Sequence, residues 1–413
     1  HPNPMLNTSE QEVQKHNFRY VQIDAIGVSI ANVAAPFLPV FLTRLGASNF
    51  QVGLLTSMPG VTGFILAILV GRFLQTRSNI VPWYSLSRLL VISCYALTGL
   101  LIFALSKEYT VIVIATLAIW AFATLPQTTL AVAFSVVMNA VAGPEGRYAL
   151  LSRRWAIFGL TTVVMTFFVT RAIDLLEFPY NYALMFLGLS LGGLISFYFS
   201  RKIKLPDQTP LVLAPSSSAF DSARGYFSLI RGAPAFASFA TKKFVYHSAI
   251  MLSQPIMPLF FVREVKATDS QIGTITMAMT IVMLVGYFIW PWSSRKYGGR
   301  FVLLATTFGM IFYPALTAAT PQVPLIIIYA AIAGFFQAGL DLVFFDELMK
   351  TVPQEYSATF VSLVQSMQYF SAIFAPLIGT WLADYIGLGG ALWVSAGLRL
   401  VGFLLFLRKD TRA

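Results

Sequence analysis

Two stretches of the sequence read alike: residues 36–58 are PFLPVFLTRLGASNFQVGLLTSM, and residues 255–277 are PIMPLFFVREVKATDSQIGTITM. The copies share two prolines and an arginine at an offset of 219 positions: Pro36, Pro39 and Arg44 against Pro255, Pro258 and Arg263. In each copy a polar turn separates two long apolar runs. The repeat therefore predicts two related helical bundles, one in each half of the chain.

The composition identifies the solvent of these bundles. The 413 residues are 57% hydrophobic and 11% charged, with a mean hydropathy of +0.73, whereas soluble domains carry about 25% charged residues. A helix needs about 20 residues to cross the hydrocarbon core of a bilayer. The apolar runs predict twelve such helices, at residues 18–43, 50–74, 82–106, 109–141, 153–175, 180–202, 238–263, 269–292, 300–320, 323–349, 356–383 and 388–407. The predicted fold class is thus an all-α membrane protein with two pseudo-symmetric six-helix bundles.

Positive charge predicts the orientation of these helices. With the N-terminus inside, 22 of the 28 Lys and Arg residues fall on inner segments and five on outer segments. Cytoplasmic loops are the ones enriched in Lys and Arg, so both termini are predicted in the cytoplasm and the protein is expected to be multi-pass in the cytoplasmic (inner) membrane. This bias also accounts for the net charge of +11 without a nucleic-acid partner.

Four regions follow from this pattern. They are a cytoplasmic tail at 1–17, an N-terminal six-helix bundle at 18–204, a cytoplasmic linker at 205–233 and a C-terminal six-helix bundle at 234–413. Within the linker, Ser218 and Asp221 resemble the start of a capped helix, and Phe227 and Ile230 share one of its faces. We expect an interfacial helix here, with a disordered linker as the alternative.

Two cytoplasmic loops carry a further motif. GRFLQTRSN at 71–79 and WSSRKYGGRF at 292–301 resemble the loop Gly-x-x-x-Asp-Arg-x-Gly-Arg-Arg of the major facilitator superfamily of secondary transporters. Gly71, Arg295, Gly298 and Arg300 fit the motif, while Gln75 and Ser294 stand in place of the acid and Ser78 replaces the second Gly. With the basic residues Arg72 and Arg77, the four are the candidate residues of these loops. Together with twelve helices in two halves, this resemblance covers roughly residues 18–408. It implies a transporter working by alternating access, and a loop that latches the two halves.

The resemblance also implies that helices 1, 4, 7 and 10 of the twelve line a central cavity, so their polar residues are candidates for binding. Asp341 is foremost, because an ionised Asp in a membrane helix costs about 2.5–3.5 kcal/mol and is expected to have a partner, water or a role. It is a candidate for a proton, a cation or a substrate amine, with a structural ion pair as the alternative. The other candidates for substrate or ion binding are Asn32, Gln127, His247, Gln254 and Gln337, each of which could instead serve helix packing.

Gating candidates come from the repeat. Asp24 and Lys243 are related by the 219 offset and carry opposite charges, which suggests a pair that closes the cytoplasmic side; alternatively, each is solvated or paired within its own half. Pro36, Pro39, Pro255 and Pro258 are expected to kink the outer parts of two helices, as a gate or as fixed bends.

The sequence holds no signature of an enzyme, a cofactor or a metal site, since it has no phosphate-binding loop, no His-Glu-x-x-His and no Cys-x-x-Cys. We therefore expect a monomeric transporter of a small organic solute, amphiphilic solutes included, coupled to a proton or ion gradient and in contact with membrane lipids. The alternatives are an uncoupled facilitator, a lipid or lysolipid exporter, and a non-transporting sensor or assembly factor of the same fold.

Overall fold

The computed structural model describes residues 8–207, 225, 227–351 and 357–409, with the backbone alone at some helical positions, and within these residues the chain is helical without a strand. The helices, in chain order, are α1 (Thr8–Asn32), α2 (Phe37–Arg44), α3 (Asn49–Gln75), α4 (Val81–Ala104), α5 (Tyr109–Ala172), α6 (Tyr180–Ser200), α7 (Pro234–Ser253), α8 (Ile256–Arg263), α9 (Asp269–Tyr297), α10 (Gly299–Gly309), α11 (Phe312–Ala319), α12 (Val323–Thr351) and α13 (Ser357–Leu407). A short 3-10 turn, Ile173–Leu175, follows α5.

The predicted membrane character is confirmed. Among the described residues, 11 helical segments are long and apolar enough to cross a bilayer. The last of them, Leu363–Leu407, bends at Gly387, whose φ of 80° and ψ of 167° are not helical. Counting the arms on either side of this glycine separately would give the predicted twelve.

Helix α5 differs from the prediction in one respect. A loop was expected between the spans at 109–141 and 153–175, but the backbone stays helical from Tyr109 to Ala172. A straight helix of 64 residues would be about 96 Å long, so α5 holds two spans, Tyr109–Ala142 and Arg153–Leu175. The intervening sequence continues the helix because Glu, Arg, Ala and Leu predominate after its proline, and these residues have high helix propensity.

Two further predictions concern segments outside the spans. The predicted tail at 1–17 is helical from Thr8 onward, as the first part of α1. Residues 225 and 227–231 are helical, as expected for the interfacial helix, while its predicted start at Ser218 and Asp221 lies outside the described residues.

The chain divides into two compact units: unit 1 comprises His1–Ala47 and Ile65–Leu213, and unit 2 comprises Ser48–Phe64 and Ala214–Ala413. Within unit 1, α1 packs on α5 and α6, and α4 packs on the same two helices. Within unit 2, α9 packs along α12, and α13 packs along α7. Asp24 lies on the packed helices of unit 1, and Asp341 lies on those of unit 2.

The first part of α3 belongs to unit 2 because it packs against α13. A Cβ on Gly60 would lie 3.1 Å from the carbonyl oxygen of Tyr369, so a side chain at this position would push the two helices slightly apart and glycine lets them approach closely. At the start of α3, the Asn49 amide donates to a carboxylate oxygen of Asp384 at 2.7 Å. Its own oxygen accepts from Arg263 at 2.5 Å. A polar contact thus closes one end of this helix pair.

The helix interruptions predicted at the repeated prolines are present. Residues 33–36 form turns between α1 and α2, and residues 254–255 do so between α7 and α8. Pro36 and Pro39 have no N–H to donate to Asn32 and Ala35. The carbonyl of Asn32 instead accepts the closer N–H of Ala35 at 3.1 Å. The breaks therefore follow from local chemistry that is written twice in the sequence.

A third break divides the span predicted at 300–320 into α10 and α11. Pro314 cannot donate to the carbonyl of Met310, and Arg399 Nη1 donates to that carbonyl at 2.7 Å instead. The hydroxyl of Tyr246 donates to the carbonyl of Thr307 at 2.6 Å. Both donors are almost fully buried, so two side chains supply hydrogen bonds where the helix cannot.

Replacing Tyr246 with Phe tests this account. Tyr246→Phe removes only the hydroxyl and leaves the Thr307 carbonyl without its buried donor, so we expect a loss of about 1 kcal/mol of stability. The measurement is the thermal unfolding midpoint of the purified protein in detergent. Tyr385→Phe is the matched control, because Tyr385 is 74% exposed. Equal midpoints for the two variants would contradict the capping role.

Candidate substrate- and ion-binding site

Asp341 lies on α12 in unit 2, and its side chain is exposed although the helix is one of the candidate spans. Two neutral donors fix the carboxylate. Gln337, one turn earlier on the same helix, donates from Nε2 to one oxygen at 2.7 Å. The Tyr287 hydroxyl, on the neighbouring α9, donates to the other oxygen at 3.1 Å. The packing of α9 along α12 therefore orients an accessible acid.

A positive charge lies beside this acid. Lys243 is buried on α7, with Nζ 5.7 Å from the centroid of the Phe344 ring on α12, and it interacts electrostatically with Asp341. His247 follows one turn later on α7, half-buried, and lines a narrow crevice with Lys243 and Gln368. The cluster of Asp341, Gln337, Tyr287, Lys243 and His247, which we call the Asp341 site, combines an acid, an amide, a phenol, an ammonium and an imidazole.

The three remaining amide candidates lie elsewhere. Asn32 is exposed at the end of α1 and Gln127 is half-buried within α5, both in unit 1. Gln254 is exposed at the break after α7 in unit 2. Within the described residues, none of these three side chains forms a hydrogen bond. Their role in binding remains a prediction.

Asp24 occupies a different kind of environment, at the centre of unit 1. Its side chain is fully buried, and its carboxylate lies 3.0 Å from Arg154 Nη1 and 3.5 Å from Arg88 Nη2. Ser196 donates to the other oxygen at 2.5 Å, and Tyr84 donates at 3.3 Å. The carboxylate joins α1 to α4, α5 and α6 by these contacts, and its place in the packing is structural.

The gating candidates lie on α1 and α7 and at the starts of α2 and α8. Asp24 has partners within its own unit, as in the alternative that the sequence left open. Its pairing with Lys243 stays a prediction. Pro36 and Pro255 precede α2 and α8 as their N-caps, and Pro39 and Pro258 lie in the first turn of each. A gating role for these four prolines stays a prediction.

The loop-motif residues form local contacts. Arg77 lies beyond α3, with its guanidinium 4.2 Å from the Phe73 ring centroid. Gly71 and Arg72 are in α3, and the side chain of Arg72 is outside the described part. Arg295 is exposed in the last turn of α9, and Gly298 ends that helix with a φ of 88°. Arg300 donates to the carbonyl of Leu407 at 3.0 Å and so caps α13.

Sequence reasoning missed three residues of these clusters. Tyr287 was not considered because it lies on the eighth predicted helix, outside the four that the resemblance assigns to the cavity. Arg88 and Arg154 were counted as cytoplasmic charges. The signal for Arg88 was its place inside the apolar run SLSRLLVIS, since a charge within a span is expected to have a buried partner.

Comparisons with known proteins agree with this fold. Residues 243–413 match the family model of the Major Facilitator Superfamily, and no curated protein matches the chain. Among solved structures, a point mutant of the nucleoside transporter NupG superposes with a TM-score of 0.74 at 12% identity, over 96% of this chain and 99% of that one. A bacterial homologue of the iron transporter ferroportin, in an inward-facing state, superposes with a TM-score of 0.69 at 14% identity, over 96% of this chain and 98% of that one. The human organic anion transporter MFSD10 superposes with a TM-score of 0.64 at 14% identity, over 95% of this chain and 99% of that one.

These comparisons agree with the resemblance seen in the sequence: the family model matches the C-terminal part of the chain, and the solved transporters share its fold. They also confirm a multi-pass membrane protein. At 12–14% identity the solved structures share the fold with this chain, and their differing substrates belong to those proteins.

The structural role of Asp24 leads to a prediction. Asp24→Asn would leave two buried guanidinium groups without an anionic partner, which costs about 3–5 kcal/mol. We expect a sharp fall in the yield of monodisperse protein and in the thermal unfolding midpoint. The matched control is Asp174→Asn, an exposed carboxylate of the same unit, which should behave as wild type. A variant at position 24 that folds normally would point to a functional role for this acid.

Proposed function

We propose that this member of the major facilitator superfamily is a secondary active transporter, which moves a small organic solute, amphiphilic solutes included, across the cytoplasmic (inner) membrane. It does so by alternating access and uses a proton or ion gradient. Its termini are cytoplasmic, as the distribution of Lys and Arg indicates, and it works as a monomer surrounded by lipid.

The observation that carries this proposal is the exposure of Asp341 within a membrane helix. A carboxylate that faced lipid would be strongly unfavourable, so an exposed one faces a water-accessible space. A carboxylate offers about four lone-pair sites for hydrogen bonds. Gln337 and Tyr287 occupy two of them, and the others are open to a proton, a cation or a donor group of the solute.

Coupling follows from the neighbouring charge. When Asp341 is ionised, its charge balances that of Lys243; when it is protonated, Lys243 is left unbalanced. The two states differ by one charge at the same place, and a charge that moves through the membrane potential gains about 2.3 kcal/mol per 100 mV. That energy is enough for moderate accumulation, and the sequence contains no nucleotide-binding motif that could supply another source.

The substrate class is argued from the chemistry of the Asp341 site. An acid, an amide, a phenol and an ammonium can each hydrogen-bond a polar organic solute, and Phe335 and Phe336 lie half-buried on α12 close to Gln337. Among the fold neighbours, one is a nucleoside transporter and another an organic anion transporter. Nucleosides and organic anions are therefore the first solutes to test.

The test has two steps. Purified protein is first screened for thermal stabilisation by nucleosides, organic anions and lysophospholipids. The best ligand is then followed into proteoliposomes that carry a proton gradient or a sodium gradient. We expect accumulation against the solute's own gradient in wild type, and its collapse when an ionophore dissipates the coupling gradient.

In this assay Asp341→Asn should lower gradient-driven accumulation at least about tenfold, because the amide cannot change its charge. Downhill exchange of the same solute should continue. Asp346→Asn is the matched control, since Asp346 is an exposed acid of the same helix, paired with Lys350 at 2.9 Å. Unchanged accumulation in Asp341→Asn would exclude it as the coupling group. Flux that no ionophore affects would identify a facilitator, and the absence of flux a non-transporting protein.

A further inference from the structure

A cleft of about 450 Å³ opens on unit 1 where α1 and α5 pack together. Its polar lining consists of Gln14, Lys15, Arg19 and Gln22 from α1 and Arg153 from α5, beside the apolar Phe18 and Ile23. It shares no residue with the Asp341 site. The function proposed above does not use it.

Among the side chains that the structure describes, the lining of this cleft is positively charged and lacks a carboxylate. Lys15, Arg19 and Arg153 are exposed, and within the described residues none of them forms an ion pair or a side-chain hydrogen bond. By contrast, the exposed Lys350 on α12 lies 2.9 Å from Asp346 and 3.0 Å from Glu347. Three cations that converge on one cleft without an acid attract an anion.

Gln22 provides a second, independent indication. Both the nitrogen and the oxygen of its side-chain amide are buried, and neither has a hydrogen-bond partner. An amide can donate two hydrogen bonds and accept two, and buried polar groups almost always have a partner. The free N–H groups of Gln22, in a cleft with three cations, are donors that an anion would accept.

The interior of unit 1 adds to the positive potential. Asp24, two residues after Gln22, is shared by Arg88 and Arg154, so this buried group of three carries one excess positive charge. Nε of Arg88 has no hydrogen-bond partner. Arg154 directly follows Arg153 of the lining, so the excess charge lies close to the cleft, in surroundings that screen it poorly.

We propose that this cleft binds the anionic group of a phosphate- or carboxylate-bearing molecule, with Arg19, Arg153 and Lys15 as its counter-ions and the Gln22 amide as a further donor. The cleft is larger than a single oxyanion needs. The anionic group therefore belongs to a larger molecule, and two sources have this chemistry: a soluble organic anion and the headgroup of an anionic phospholipid.

The experiment uses the full-length protein in nanodiscs of phosphatidylcholine, titrated with inorganic phosphate and pyrophosphate at constant ionic strength. The readout is the thermal unfolding midpoint. A second arm replaces part of the phosphatidylcholine with phosphatidylglycerol. We expect a saturable rise of the midpoint in at least one arm. A response to phosphate or pyrophosphate would identify a soluble anion as the source, and a response to phosphatidylglycerol alone would identify a headgroup.

Variants locate the response. Arg19→Gln and Arg153→Gln should each weaken it about tenfold or more, because each removes a charge-assisted hydrogen bond. Arg201→Gln is the matched control: Arg201 is an exposed arginine of the same unit, stacked on Phe197 and outside the cleft. No rise in wild type in either arm, or equal responses in the three variants, would overturn the proposal.

Gln22→Glu gives a test that does not depend on loss of folding. It replaces the amide with a carboxylate of the same shape among three cations. If the cleft binds an anion, this variant has a higher thermal unfolding midpoint than wild type without any added anion, and its midpoint no longer responds to one. A lower midpoint, or an undiminished response, would show that the positive charge of the cleft needs no partner.

Discussion

The structure depends on one constraint: inside a membrane, a polar group that loses its water must find a partner within the protein. Pro314 frees the carbonyl of Met310, and Arg399 reaches across from another helix to pair with it. The buried Asp24 is paired with Arg88 and Arg154. Each pairing joins helices that are distant in sequence, so the need to satisfy polar groups also determines which helices pack together.

The same constraint separates the two aspartates. Asp24 is fully buried between two guanidinium groups, and to change its charge would leave both of them unbalanced. Asp341 is exposed, and its bonded donors, Gln337 and Tyr287, are neutral. Protonation of Asp341 would leave one charge unbalanced, that of Lys243, whereas protonation of Asp24 would leave two. Of the two acids, Asp341 has the weaker partners and is therefore the better candidate for the coupling group.

Much of the fold could be predicted because its causes are local. The length of the apolar runs predicts the spans. The missing N–H groups of Pro36 and Pro255 predict the breaks in their helices, whatever those helices pack against. The candidate site was less accessible to this reasoning. Asp341 and Gln337 could be named because each is a polar residue within an apolar helix that the resemblance assigns to the cavity. Tyr287 could not, because its contact depends on which faces of α9 and α12 meet, and no local pattern in the sequence encodes that choice.

The cleft of unit 1 brings Lys15, Arg19 and Arg153 around the neutral amide of Gln22. A glutamate at position 22 would have supplied the missing negative charge with nearly the same shape as Gln22. A permanent carboxylate there would also pair with Arg19 and Arg153 at all times and exclude any other anion. An amide leaves the cations available and still offers donors. A cleft with three exposed cations and a neutral donor is therefore best understood as a site for an anion that binds reversibly.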